Sequence, residues 1–118
     1  MVGSDNTAVT LGTGSLPTLG MSALVSLAEQ AAISALQGTL PLGMTSVGTE
    51  IQLKHLTATP VGHHIHVEAV VTFASGRRVQ FRIQAEDERE KIAEGIHERF
   101  IIEAERFMGR LAEKKPKQ

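Results

Sequence analysis

The sequence predicts a two-layer α+β domain in which one long helix lies against an antiparallel sheet. Three observations predict it. Thr18 to Gly38 carries apolar residues at helical spacing: Leu24, Leu27, Ala28, Ala31, Ala32, Ala35 and Leu36 fall on one wide arc. From Thr45 onward the period changes to two and recurs in four runs. Those runs are joined by short turns, which force neighbouring strands to be antiparallel.

Each element has a local reason. Met1 to Asn6 is polar and reads as a fraying end, as does 112–118. Thr7 to Leu11 alternates weakly and reads as a short strand, and Gly12 to Pro17 is a loop. Thr18 is placed to cap the helix, and Gly38 to take the left-handed position beyond its end. Thr39 to Met44 is a second loop. In Thr49 to Thr57 the odd positions hold Ile51, Leu53 and His55, so His55 shares the face that meets the core. Ala58 to Gly62 is a turn, and His63 to Phe73 places Ile65, Val67, Ala69, Val71 and Phe73 on one face. Ser75-Gly76 is a tight turn into Arg77 to Ala85, where Val79, Phe81, Ile83 and Ala85 share a side. Glu86 to Glu90 is a charged turn. Lys91 to Ile102 sets Ile92, Ile96, Phe100 and Ile102 against Ala93, Gly95, His97 and Arg99. No repeat or linker divides the chain, so residues 1–118 read as a single domain. One sheet and one helix leave long strand edges and a thin core, which favours pairing with a second copy.

Composition narrows the function. The chain has 118 residues, 42% of them hydrophobic and 21% charged, with a net charge of −1. That balance lacks the basic footprint of a nucleic-acid binder. Trp and Tyr are absent, which argues against a base-stacking surface. With no Cys there is no disulfide, zinc-thiolate site or thiol nucleophile. No stretch reads as a signal peptide or a membrane span, and a cytoplasmic protein is the expectation.

Glu29 stands out. It is the only charged residue between Asp5 and Glu50, and it lies at the edge of the helix's apolar arc. Such a carboxylate needs a partner, and His55 on the inner face of the first long strand is a candidate, within a subunit or across a dimer. The pair suits a general base or nucleophile with a proton-handling imidazole, and equally a structural ion pair. His63, His64 and His66 suggest a metal, but two same-face His residues without a third ligand make a poor zinc site, so no metal is expected. His97 reads as a surface, interface or site-edge residue. Gly43 to Thr49 offers small residues and free amides before a strand, suited to an oxyanion or to a plain loop. Arg77-Arg78 beside the Ser75-Gly76 turn suits a phosphate or simple solvation.

Taken in order, Ser46-Val-Gly-Thr49, His55-Leu-Thr-Ala-Thr-Pro-Val-Gly62, Gly76-Arg-Arg78, Glu94-Gly-Ile-His-Glu-Arg99 and Glu105-Arg-Phe107 form a recognisable series. It resembles the hot-dog-fold thioesterases of the fluoroacetyl-CoA thioesterase-like family, and Ala23 to Ala32 resembles that family's central helix. The resemblance runs from about Leu16 to Phe107. It implies a hot-dog fold, with a long central helix wrapped by a curved antiparallel sheet. It also implies a homodimer, or a higher assembly, with active sites at the subunit interface, and hydrolysis of an acyl-CoA thioester by a Thr–Glu–His constellation.

By motif position the Glu is Glu29 and the His is His55. The family Thr, eight residues before the Glu, falls on Met21, with Ser22 one residue on. Gly48 matches the family glycine that lies against the acyl group, and Val47 to Thr49 would supply oxyanion amides. The expected substrate is a small or medium acyl-CoA, and no cofactor is expected beyond the CoA of that substrate. The competing reading is a non-catalytic binder of acyl-CoA or another small ligand on the same fold.

Overall fold

The computed structural model describes residues 1–12 and 14–116. Thr13, in the predicted Gly12 to Pro17 loop, and Lys117 and Gln118, in the predicted C-terminal fray, lie outside the described residues. Helix α1 spans Met21–Leu36 and helix α2 Ala104–Leu111. Four strands separate them: β1 (Met44–His55), β2 (His66–Ser75), β3 (Arg78–Glu86) and β4 (Lys91–Glu103). All adjacent strands are antiparallel. Helix α1 lies on one face of the curved sheet, chiefly against β2.

The helix starts later than its sequence suggests. Gly20 is the N-cap, with extended backbone and no capping side chain. Thr18 is drawn off into a bridge with Pro60, and Leu19 into one with Thr7. The far end behaves as read, with Gly38 at φ +79° just beyond Gln37. Leu24, Ala28 and Ala32 are fully buried; the small alanines let the helix sit close to the sheet.

The sheet order is β1-β4-β3-β2, so only β2, β3 and β4 form a meander. β1 joins on the far side, beside β4, because residues 56–65 are long enough to cross the end of the sheet. Leu56 and Thr57 tie that crossing down by donating to the Ile92 carbonyl at 2.7 and 3.2 Å. Val79, Phe81, Ile83 and Ala85 of β3 face the helix as the alternation predicts, and all are buried. In β4 the helix-facing set is Ala93, Gly95, His97 and Arg99, while Ile96 and Phe100 are exposed on the outer face. A Cβ on Gly95 would lie 1.8 Å from the Gln52 carbonyl oxygen, so only glycine allows β1 this close.

Phe73 departs from its alternation. A bulge at Thr72 shifts the register, turning Phe73 outward beneath the Arg78 guanidinium. The N-terminus also differs. Val2 is buried, donates to the His63 carbonyl at 2.8 Å and accepts from the Gly62 amide at 2.9 Å. Thr7 to Leu11 is a turn with a single bridge rather than a strand.

Candidate active site

Glu29 lies next to Ala28 on the flank of the buried stripe of α1, and its side chain is 42% exposed in the protomer. Its Oε2 accepts from Arg99 Nη1 at 3.2 Å. Arg99 is buried and fully engaged. Its Nε donates to Ser46 Oγ at 2.8 Å, and its Nη2 to the Ser46 carbonyl at 3.1 Å. Nη1 also faces His97 Nε2 at 3.2 Å. His97 Nδ1 lies 2.8 Å from the Glu50 carbonyl, which can only accept, so Nδ1 carries the proton. That assigns Nε2 as a lone-pair acceptor toward Arg99 and makes the buried imidazole neutral. Phe81 stacks on the same ring at 6.1 Å between centroids.

Gly48 forms the floor beside this group. A Cβ there would lie 3.3 Å from Arg99 Nη1, 3.3 Å from His97 Cε1 and 3.4 Å from Glu29 Oε2. The absent side chain therefore leaves the backbone open beside the carboxylate. The strand is bulged at this point, with the register shifting between Gly48 and Glu50. A bulge on an edge strand leaves ladder amides without strand partners.

The other predicted residues are distributed differently. His55 is on the inner face as read, and its buried Nε2 has no hydrogen-bond partner among the described residues. It does not meet Glu29 within the protomer. Glu29 sits at the Gly48 end of β1 and His55 ends the strand seven residues later, about 20 Å away at normal strand rise. Thr49 is the bulged residue. Its hydroxyl donates to the Glu98 carbonyl at 3.2 Å and to Glu98 Oε1 at 2.8 Å, so its side chain turns away from Glu29. Thr49, with Gln80 and Arg78, holds the Glu98 carboxyl below the ordinary range. Val47 pairs with Phe100 and points to the face opposite Gly48, leaving only its backbone near the site. Met21 is the first residue of α1 and partly exposed, two turns or about 12 Å up the axis from Glu29. Ser22 opens instead onto a groove with Asp5, Asn6, Ser26 and Gln30. His63 and His64 both approach Glu88, at 3.8 and 4.0 Å.

Arg99, His97 and Ser46 are the residues that pattern reading did not assign to the site. Their signal was present: His97 and Arg99 share parity with Ala93 and Gly95. Only the pairing of β4 with Phe81 and Val79 shows that this polar set, and not Ile96 and Phe100, faces the helix.

Comparison with known proteins speaks to the family and the fold. The family described as fluoroacetyl-CoA-specific thioesterase (FlK) matches residues 2–105. The fluoroacetyl-CoA thioesterase of Streptantibioticus cattleyicolor is 37% identical over 93 residues, covering 79% of this chain and 67% of that protein. A variant of the FlK thioesterase, solved with fluoroacetate and CoA, superposes with a TM-score of 0.90 at 30% identity, covering 98% of this chain and 94% of the other. A hot-dog-like protein from Thermanaerovibrio acidaminovorans gives a TM-score of 0.89 at 22% identity, covering 99% of this chain and 87% of its own, and speaks to the fold alone. The chain, a hot-dog-fold protein, belongs to the fluoroacetyl-CoA-specific thioesterase family.

Proposed function

We propose that this protein hydrolyses a small or medium acyl-CoA thioester to the free acid and CoA, and does so as a homodimer. One observation carries the reading: the Glu29 carboxylate is fixed by a buried arginine directly beside the side-chain-free backbone of Gly48. That is where a short acyl carbonyl fits against an oriented carboxylate. Solved relatives carry CoA with fluoroacetate, or acetyl-CoA, which supports the substrate class.

In the reaction, water's oxygen ends on the acyl carbon, the C–S bond breaks and the sulfur leaves as the thiol. Glu29 serves either as the nucleophile on the carbonyl or as the base toward the attacking water. Amides near Val47 to Thr49 stabilise the developing oxyanion. His55 handles the proton, and it comes from the second copy. β1 is a free edge twelve residues long. Pairing two such edges about a two-fold axis near Ile51 and Gln52 brings the Gly48 end of one beside the His55 end of the other. The unsatisfied His55 Nε2 then gains a partner, and the half-exposed Glu29 is covered. No metal and no cofactor beyond the substrate's CoA enter the scheme, and the proposed setting is the cytoplasm.

Met21 stands where the family hydroxyl falls, so the acyl preference is displaced from fluoroacetyl toward apolar chains. The test is thiol release from a panel of acyl-CoAs. Turnover is expected in the wild type and a loss of at least about a hundredfold in Glu29→Gln. Turnover that survives this substitution overturns the assignment. Binding of acyl-CoA without thiol release establishes the non-catalytic binder instead.

A further inference from the structure

A second cavity of about 240 Å3 lies where α2 meets the end of β4. Phe100, Ile102 and Phe107 form apolar walls, and Arg77, Arg106 and Arg110 bring guanidinium groups to its rim. Phe100 and Ile102 belong to the sheet face opposite Arg99, so this cavity is separate from the Glu29 site.

Its charge is unusual for this molecule, whose net charge is −1. Three arginines face one carboxylate, Glu103, whose contact with Arg106 is long at 3.8 Å and solvent-exposed. Among the described residues neither Arg77 nor Arg110 has an acidic partner within 4 Å. The neighbouring Arg78 is by contrast committed, lying over Phe73 and reaching Glu98 at 3.8 Å. Arg106 and Arg110 stand four residues apart on one helix, a like-charge spacing that disfavours the helix unless an anion lies between them. Phe100 is 40% exposed. Forked cations around an exposed phenyl ring, Phe100, match a ligand that joins a phosphate to a flat ring.

We infer that this cavity binds a phosphorylated nucleoside. Two sources share that chemistry: the nucleotide end of a CoA thioester, which rests on the thioesterase reading, and a free nucleotide, which does not.

The probe is adenosine 3′,5′-bisphosphate, titrated by calorimetry into the full chain and into Arg106→Glu/Arg110→Glu, with circular dichroism confirming that the variant is folded. Binding to the wild type that weakens at least about tenfold in the double variant, and by less in Arg106→Lys/Arg110→Lys, which keeps the charge but not the fork, is the expected result. No binding to the wild type at millimolar probe, or equal binding to the charge-reversed variant, overturns the proposal. Thiol release from an acyl-CoA and from the matching N-acetylcysteamine thioester, which has no nucleotide, separates the sources. A rise in KM confined to the acyl-CoA assigns the cavity to the substrate. Lost bisphosphate binding with both turnovers unchanged assigns it to a free nucleotide. Absence of thiol release from either thioester rejects the thioesterase reading and leaves the calorimetric result standing.

Discussion

At the scale of single residues, the site is a chain of fixed orientations. The Glu50 carbonyl sets the tautomer of His97, His97 offers a lone pair to Arg99, and Arg99 aims Glu29. Removing the middle link exposes the dependence. Arg99→Met leaves the Ser46 Oγ and His97 Nε2 without their Arg99 partner and is expected to cost about 1–3 kcal/mol of stability, read by denaturant unfolding, with a large fall in kcat. His97→Phe preserves the stacking volume against Phe81 but removes the acceptor. It is expected to lower kcat more than it raises KM, with a stability loss of about 1–3 kcal/mol from the stranded Glu50 carbonyl and Arg99 Nη1; an unaltered kcat shows that the imidazole only fills space. Gly48→Ala places a methyl 3.3–3.4 Å from Arg99, His97 and Glu29 and is expected to reduce kcat/KM with a small Tm change.

Much of this residue-scale picture was legible. Glu29 announced itself by isolation in an uncharged stretch, and His55 by its place in a strict alternation. The orientation of His97 and Arg99 was not legible, because one face of β4 is aliphatic and the other polar, and hydrophobicity points to the wrong one. The polar face tolerates burial because each guanidinium nitrogen and each imidazole nitrogen has a hydrogen-bond partner, a condition set in part by residues about 50 positions away in sequence.

At the scale of elements, turns and bulges decide where strands deliver their side chains. The β3–β4 turn is organised by Asp87, whose Oδ1 accepts from the Arg89 and Glu90 amides at 2.8 and 2.9 Å and whose Oδ2 faces the Thr59 hydroxyl. The Arg89 amide first, then the Glu90 amide and the Thr59 hydroxyl, hold the Asp87 carboxyl below its ordinary value. A depressed carboxylate stabilises the fold above its unfolded pKa and loses that contribution as pH falls through the folded one. Asp87→Asn is therefore expected to lower Tm at pH 7, with the gap to wild type closing on acidification below about pH 4. Thermal unfolding across that range checks it, and a gap that does not close refutes the role of the charge. Strand existence and period were readable in all four cases. The register shifts were not: those at Thr72 and Thr49 carry no local signal, and each reverses the face on which the next residues of its strand lie, while a third falls between Ala85 and Glu86. The N-cap was misplaced for a similar reason. Thr18 has the right chemistry for a cap, but Pro60 and Thr7 recruit residues 18 and 19 into bridges before the helix begins.

At the scale of the whole molecule, the proposed dimer would make the partner copy part of the chemistry. Glu29, beside Gly48 in the first half of β1, and His55, at the end of that strand, predict interallelic rescue in the proposed dimer. Glu29→Gln and His55→Ala proteins, each inactive alone, are expected to regain roughly a quarter of wild-type turnover after mixing and exchange, because each mixed pair holds one intact site. Thiol release after mixing measures it, and failure to recover activity despite demonstrated exchange rejects the shared site.

A β1 edge that, in the proposed dimer, sets Gly48 and the neighbouring Glu29 against the partner's His55 has a further consequence. Catalysis by such a dimer is a bimolecular property: at concentrations below the subunit dissociation constant, turnover per chain should fall with dilution, while each lone protomer keeps its helices, its sheet and its Glu29–Arg99 pair.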